Sequence, residues 1–188
     1  MSHDLTSLKI ATLVAAGFEQ DHFLDAQKFF HQAGATITTV SAGADKVPET
    51  GKAVKPLATI AVDSADETGF DALFLPGGKA SADNLSRNPA AIEFVRSFSA
   101  ASKPIGAIAD AAKVLVAADG IAGLRVAADP ALRGAIENAG GVWIEKPVAY
   151  DRYLVTAAHI QAIEPFCDAF AKICTEHKGG SGSSLHTD

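Results

Sequence analysis

The sequence predicts an α/β fold in which a mostly parallel β-sheet carries helices on both faces. Short apolar runs rich in β-branched residues alternate along the chain with segments that have a helical spacing of apolar residues. Those helical segments are about 10–15 residues long, which is typical of the helices that connect parallel strands. The chain has 188 residues, 48% of them hydrophobic, which is enough for one core and predicts a single domain.

The first part of the chain is predicted to run strand, helix, strand. Residues 8–14 are a short apolar run with a β-branched bias. Residues 21–34 are predicted to be a helix that stops at a glycine, because one helical face is apolar: Phe23, Ala26, Phe30 and Ala33. Residues 36–43 are the second strand. Residues 44–68 lack a helical period and contain two prolines, so we predict a β-excursion over the surface, such as a hairpin.

The alternation continues in the second part. Residues 71–78 are predicted to be a strand that ends in Pro-Gly-Gly, and residues 103–110 a buried strand. Residues 88–101 are predicted to be a helix, because proline at the second position of this segment favours the start of a helix. The remaining predicted elements are a helix at 130–141 closed by glycine, a strand at 154–158 and a last helix at 163–174.

Composition and charge exclude several classes of protein. The net charge is −6 and the basic residues are scattered, so we expect no nucleic-acid partner. The chain opens with a polar stretch and has no apolar run near the ~20 residues of a membrane span, so we expect no membrane partner and a cytoplasmic location. The Gly/Ser-rich residues 178–188 are predicted to be a flexible tail, which leaves a domain at 1–177.

One short segment, "GAIADAAKVL" at 106–115, is typical of a buried strand that turns sharply into a helix. In many α/β proteins this turn holds a nucleophile, but here it holds Ala109, Asp110 and Ala111. Ligands of such sheets bind beyond the carboxyl ends of the strands. Two other predicted strand ends would bring Glu19 and the amides of Gly77 and Gly78 to the same crevice.

Five segments occur in a recognisable order: "ATLVAAGFEQDHFLDAQKFFHQAGATITTVS", "DALFLPGGKASADNLSRNPAAIEFVRSF", "KPIGAIADAAKVL", "LRGAIENAGGVW" and "YLVTAAHIQAIEPFCDAF". In this order and spacing they resemble the ThiJ/PfpI superfamily, which shares the class I glutamine amidotransferase-like fold. The resemblance runs from about residue 9 to residue 171. It implies a flavodoxin-like three-layer sandwich, and a homodimer, since members of the family commonly form one.

The chain departs from the family pattern at the turn that would hold the catalytic nucleophile. The family usually has Ala-Ile-Cys-His-Gly-Pro at the turn, so Ala109 stands at the cysteine position and Asp110 at the histidine position. The resemblance gives Glu19 the position of the glutamate that hydrogen-bonds the nucleophilic sulfur. It places the loop of Gly77 and Gly78 on the oxyanion side of the site.

Thiol catalysis needs a sulfur at this turn, because the thiolate is the nucleophile. The two cysteines, Cys167 and Cys174, lie on the apolar stripe of the last predicted helix, and we expect both to be inert core residues. Seven residues along a helix span about 10.5 Å, so the two cannot form a disulfide with each other.

Three of the remaining polar residues each have two interpretations. Asp110 is either a helix cap or a group that meets a ligand, and Glu19 is either a helix-start carboxylate or a partner of Asp110 in a shared dry pocket. His159 follows a strand and is either a solvated loop residue or part of the crevice mouth. His22 and His31 are expected on the outer surface of the first helix. We expect no metal and no cofactor.

Two functions are consistent with these residues. The first is a non-catalytic protein, stress-associated or small-ligand-binding, whose ligand contacts Gly77, Gly78, Ala109, Ala111 and His159. The alternative is a hydrolase, hydratase or lyase that uses the carboxylates of Glu19 and Asp110 on a small molecule such as a carbonyl compound. We favour the non-catalytic function. In either case we expect that the chain is not an enzyme with a cysteine nucleophile.

Overall fold

The computed structural model describes residues 4–42 and 59–181. Seven of its strands form one sheet: β1 (Lys9–Val14), β2 (Thr36–Ser41), β3 (Thr59–Ala61), β4 (Ala72–Leu75), β5 (Ile105–Ile108), β8 (Val148–Asp151) and β9 (Leu154–Ala157). Two more, β6 (Arg125–Val126) and β7 (Val142–Trp143), form a small separate sheet. The helices are α1 (Gln20–Gln32), α2 (Lys79–Leu85), α3 (Pro89–Ala100), α4 (Ala112–Ala117), α5 (Arg133–Asn138) and α6 (Ile163–Ser181).

The order of strands in the large sheet is β3-β2-β1-β4-β5-β9-β8. Every pair of neighbours is parallel except β9 and β8. One face of the sheet packs against α2, α3, α4 and α5, and the other against α1 and α6. The α/β fold with a mostly parallel sheet between two helical layers is therefore confirmed.

Successive residues of β4 show how the two cores are separated. Leu73 belongs to the core under α2 to α5, whereas Ala72 and Phe74 belong to the core under α1 and α6. This alternation follows from the two-residue period of a strand. Because both faces are covered, the strand is apolar throughout, as parallel strands in α/β folds usually are.

The core under α1 and α6 is built on phenylalanine rings. Phe166 and Phe170 of α6 stack with their ring centroids 6.0 Å apart, and Phe30 and Phe74 pack around them at 5.3 to 5.9 Å. These rings lie directly over Gly106 of β5. A Cβ atom at Gly106 would come within 2.8 Å of the Phe166 ring and 2.9 Å of the Phe170 ring. Glycine is therefore what allows α6 to lie this close to the sheet.

The small sheet lies beside the edge strand β8. Arg125 of β6 donates from its guanidinium to the main-chain carbonyl of Tyr150 at 3.1 Å. The main-chain amide of the same arginine donates to the carboxylate of Asp151 at 3.0 Å. These contacts fasten the loop region between α4 and β8 to the outer edge of the large sheet.

The structure differs from the predicted elements in several places. It adds β6, β7, β8 and α2, and it divides the predicted helix at 130–141 into a 3-10 turn, Pro130–Leu132, and α5. Of the predicted β-excursion at 44–68, only residues 59–68 are described; they contain β3, which pairs in parallel with β2. Residues 44–58 lie outside the described residues.

The last helix is longer than predicted. It reaches Ser181 and so includes the first four residues of the segment predicted to be a flexible tail, while residues 182–188 lie outside the described residues. Within the part of the chain that the structure describes, no helix combines the length and apolarity needed to cross a membrane.

We expect Gly106→Val to lower the free energy of unfolding by about 1–3 kcal/mol, because the added side chain overpacks the core against two fixed phenylalanine rings. Gly134→Ala is the matched control. Gly134 lies in α5 with nothing within 4 Å of a built Cβ, so alanine there should raise stability by up to about 1 kcal/mol. Urea denaturation followed by circular dichroism measures both; a Gly106→Val variant as stable as the parent would contradict the packing described here.

Candidate functional site

The candidate site lies where the loops after β1, β4 and β5 meet. These three strands are adjacent and parallel, so their carboxyl ends reach the same edge of the sheet. The first two loops are joined directly: the main-chain amide of Glu19 donates to the carbonyl of Gly77 at 2.8 Å. The sequence placed Glu19, Gly77 and the Ala109 turn at one crevice, and the structure brings these segments together.

Ala109 forms the turn between β5 and α4 and has a left-handed backbone, with φ of +52°. It begins a 3-10 turn, Ala109–Ala111, that leads into α4. This conformation destabilises a residue that has a Cβ atom by roughly 1–2 kcal/mol. Backbone strain of this kind is concentrated at functional sites. The elbow predicted from the sequence is therefore present, with a half-buried methyl group at its apex and the buried Ala111 behind it.

The loop after β4 approaches the loop after β1 too closely for any residue but glycine. Gly78 has a φ of +122°, and a Cβ atom there would lie 2.5 Å from the carbonyl oxygen of Gly17. Both Gly77 and Gly78 are buried. The backbone of this loop is thus held in one position against its neighbours.

His22 is part of this site, contrary to the expectation that it lies on the surface. Its side chain is only 8% exposed, and its Nδ1 accepts a hydrogen bond from the main-chain N–H of Gly77 at 3.1 Å. Burial lowers the pKa of His22, while the nearby carboxylates of Glu19 and Asp110 act in the opposite direction. An imidazole that accepts at Nδ1 is neutral and carries its proton on Nε2.

Helical periodicity is the signal by which His22 could have been found. The residue precedes Ala26 by four positions and Phe30 by eight, and both of these are fully buried. His22 therefore lies on the buried face of α1 and not on its outer side. His31, by contrast, is exposed, as expected.

Glu19 and Asp110 both act electrostatically on the His22 ring, but they do not share a dry pocket. Glu19 is exposed and Asp110 is half-buried, so water reaches both carboxylates in this chain. The interpretation of Asp110 as a helix-start residue holds only in part: its carboxylate lies in the first turn, but it forms no capping hydrogen bond. It lies inside the 3-10 turn, and neither that turn nor α4 has a side-chain hydrogen bond at its N-cap.

His159 lies apart from this group. It is exposed and extended, just after β9, and begins the 3-10 turn Ile160–Ala162. Its side chain lines a cavity of about 260 Å³ together with Trp143 and Lys146, and the lining of that cavity includes neither Ala109 nor Asp110.

The two cysteines lie in α6, within the core that this helix forms with α1. Both are about 1% exposed. Burial raises the pKa of Cys167 to about 12 and raises that of Cys174 as well, so neither is a thiolate near neutral pH. Across residues 4–42 and 59–181, no three His, Cys, Asp or Glu side chains are arranged to hold a metal ion.

Comparison with known proteins gives a consistent result. Residues 8–173 match the model of the DJ-1/PfpI family. The chain is 35% identical over 154 residues to "Protein/nucleic acid deglycase 2" of Escherichia coli, covering 80% of this chain and 88% of that protein. It is 29% identical over 147 residues to "General stress protein 18" of Bacillus subtilis, covering 74% of this chain and 81% of that protein.

A solved structure is similar over nearly the whole fold. It is a cysteine-to-alanine mutant of a DJ-1 superfamily protein from Salmonella typhimurium. The two chains superpose with a TM-score of 0.73 at 27% identity, and the match covers 92% of this chain and 98% of the other.

The first expected outcome at the site concerns thiol reactivity. Ala109→Cys should place a thiol at the elbow, where Asp110 opposes ionisation by like charge. The double change Ala109→Cys with Asp110→His removes that charge, so we expect it to react with iodoacetamide near neutral pH about threefold to tenfold faster than the single change.

The parent protein is the control for this measurement, since its buried cysteines should barely react over the same period. Mass spectrometry of the labelled peptides separates the three thiols. Equal rates for the single and double variants would mean that Asp110 does not act on residue 109.

The second expected outcome concerns pH. The pKa of His22 in the folded protein lies below its ordinary value of 6.5, so the unfolded chain takes up a proton more readily. The stability contributed by the neutral ring is present above about pH 6.5 and is lost as the pH falls below it. We therefore expect the parent to lose more unfolding free energy between pH 7 and pH 5 than the His22→Asn variant.

Urea denaturation at the two pH values measures this difference. His31→Asn is the matched control, because that histidine lies on the same helix and is exposed. The control should keep the pH dependence of the parent. A His22→Asn variant that also keeps it would show that the buried ring does not resist protonation.

Proposed function

The chain belongs to the DJ-1/PfpI family, and from that premise we propose that it binds a small molecule at the elbow without carrying out the thiol chemistry of a deglycase. The ligand contacts proposed from the sequence are Gly77, Gly78, Ala109 and Ala111, with the carboxylates of Glu19 and Asp110 beside them. His159 is not among the nearest contacts, because it lines a different cavity.

The observation that carries the proposal is the alanine at the apex of the elbow. Ala109 keeps the left-handed backbone that presents a nucleophile in such a turn, but a methyl group has no lone pair with which to attack. Neither cysteine can substitute, since both are buried in α6 and protonated near neutral pH. What is left around the elbow is a buried glycine loop, a buried imidazole and two carboxylates that water reaches.

The names of the relatives support two parts of this proposal. The relative of E. coli is named a deglycase of protein and nucleic acid, which points to compounds formed from small carbonyls as the ligand class. The relative of B. subtilis is named a general stress protein, which supports a role in stress for this chain as well. The cytoplasmic location and the homodimer stay predictions.

A second candidate function follows from the position of His22. The carboxylates of Glu19 and Asp110 interact electrostatically with its neutral ring. A neutral imidazole beside carboxylates is a suitable group for proton transfer. This arrangement supports a hydrolase, hydratase or lyase that acts by general acid–base catalysis and needs no thiol.

An activity assay separates the two candidates. Model peptides and nucleosides carrying methylglyoxal adducts are incubated with the protein, and release of the free amine is followed by mass spectrometry, with the E. coli relative as the positive control. We expect the parent to release no more than buffer does. We expect nuclear magnetic resonance to show shifts of the Gly77 and Gly78 amide signals as the adducts are added.

Turnover by the parent would contradict the non-catalytic function. If Glu19→Gln and Asp110→Asn abolish that turnover while Cys167→Ser leaves it unchanged, the carboxylate mechanism is supported. Cys167→Ser is a suitable control because that sulfur lies in the core between α1 and α6.

A further inference from the structure

We propose that Ser81 of α2 is a positioning residue of the site: its hydroxyl holds the start of the loop after β1 and thereby fixes the carboxylate of Glu19 relative to the elbow. This inference rests on the proposed function, since Glu19 is one of the groups proposed to lie beside the ligand. It assigns to Ser81 an action through Glu19 and no contact with the ligand.

The hydroxyl of Ser81 binds the first main-chain amide beyond β1. Its Oγ accepts a hydrogen bond from the N–H of Ala15 at 3.0 Å. Ser81 is 1% exposed and Ala15 is 2% exposed, so water does not compete for this bond. Without the hydroxyl, a buried N–H would lose its acceptor, and native structures rarely leave such a group unpaired. The loop would therefore have to move to satisfy it.

The middle of the same loop also contacts α2. The side-chain amide of Asn84 donates to the carbonyl of Ala16 at 3.3 Å. Gly17 approaches α2 so closely that a Cβ atom there would lie 2.5 Å from the Cβ of Ala80. Three successive residues of the loop, 15 to 17, are thus held by one short helix.

The far end of the loop is held by the residues just before α2. The carbonyl of Gly77 accepts the hydrogen bond from the amide of Glu19 at 2.8 Å. The loop is therefore fixed at both ends by one segment, residues 77–84. The bond at the Ala15 end is made by a buried side chain, so a single substitution at Ser81 can remove it.

Helix α2 is in turn held against the elbow. It packs against the 3-10 turn Ala109–Ala111 and against α4. The carboxylate of Asp83 in α2 forms an ion pair with the ammonium group of Lys113 in α4. Because α2 contacts both neighbours, it determines where the loop that carries Glu19 lies relative to the elbow.

The titration of His22 reports the position of the Glu19 carboxylate, because that charge raises the pKa of the ring. The test compares four proteins without ligand: the parent, Ser81→Ala, Glu19→Gln and the double variant. Nuclear magnetic resonance of the imidazole gives the pKa in each. The carboxylates of Asp21, Asp25 and Asp110 also act on the ring, and they are unchanged in all four proteins.

We expect Glu19→Gln to lower the pKa of His22, because it removes a nearby negative charge, and Ser81→Ala to lower it by at least about half as much. In the double variant, the loss of the hydroxyl should add nothing to the effect of Glu19→Gln. Ser86→Ala is the matched control and should keep the pKa of the parent. That serine directly follows α2, and its hydroxyl donates to the carbonyl of Asp83.

Three results would overturn the inference. An unchanged pKa in Ser81→Ala would mean that the hydroxyl does not position Glu19. An equal change with and without Glu19 would mean that Ser81 acts on the ring by another route. An unchanged pKa in Glu19→Gln would mean that the carboxylate does not lie beside the ring.

Hydrogen exchange of the parent keeps the inference testable if Ser81→Ala does not fold. The Ala15 amide lies one residue beyond β1, so its protection reports the bond to Ser81. We expect slow exchange, and exchange at the rate of an unstructured amide would overturn the inference. Turnover of adducts by the parent would contradict the proposed function and leave both measurements unaffected, so the two failures are distinguishable.

Discussion

The parallel pairing of β4 with both β1 and β5 is the constraint on which the rest of the site depends. Leu73 pairs with Ala11 on one side and with Ile105 on the other, so three strands end at the same level. The three loops that follow have no freedom to separate, and their close approach requires glycine in the loop after β4. The strained backbone of Ala109 persists because packing on both sides determines it.

The site combines the backbone geometry of a nucleophile elbow with side chains that have little nucleophilic character. The backbone features are those that a thiol enzyme needs: a left-handed elbow, a glycine loop and the start of a helix. The side chains are instead a methyl group, two carboxylates and a neutral imidazole. Under the proposed function, backbone geometry determines where a ligand can lie, while the side chains determine what can be done to it.

Much of the fold was predictable because it depends on local periodicity. The apolar face of α1 and the buried strand β5 follow directly from the spacing of apolar residues. The strands β6 and β7 have two residues each, which is too short for any period to show. Helix α2 has seven residues and buries only Ser81, Ala82 and Leu85, so its sequence resembles a loop.

The site was predictable only in part, for a related reason. Glu19, Gly77 and Ala109 follow strands, so the topology alone brings their loops together. The contact between His22 and Gly77 joins residues 55 positions apart, and histidine is a residue type of intermediate burial, so its identity alone does not indicate a buried position. The positive φ of Ala109 could likewise not be predicted from the sequence, because alanine, unlike glycine, does not indicate a left-handed backbone.

The contacts of Arg125 with β8 have a consequence for how copies of this chain can associate. An edge strand with unpaired main-chain groups can form hydrogen bonds with a strand of another chain. Here the carbonyl of Tyr150 is already taken by a guanidinium, and the small sheet of β6 and β7 lies alongside. Extension of the sheet across the β8 edge is therefore obstructed.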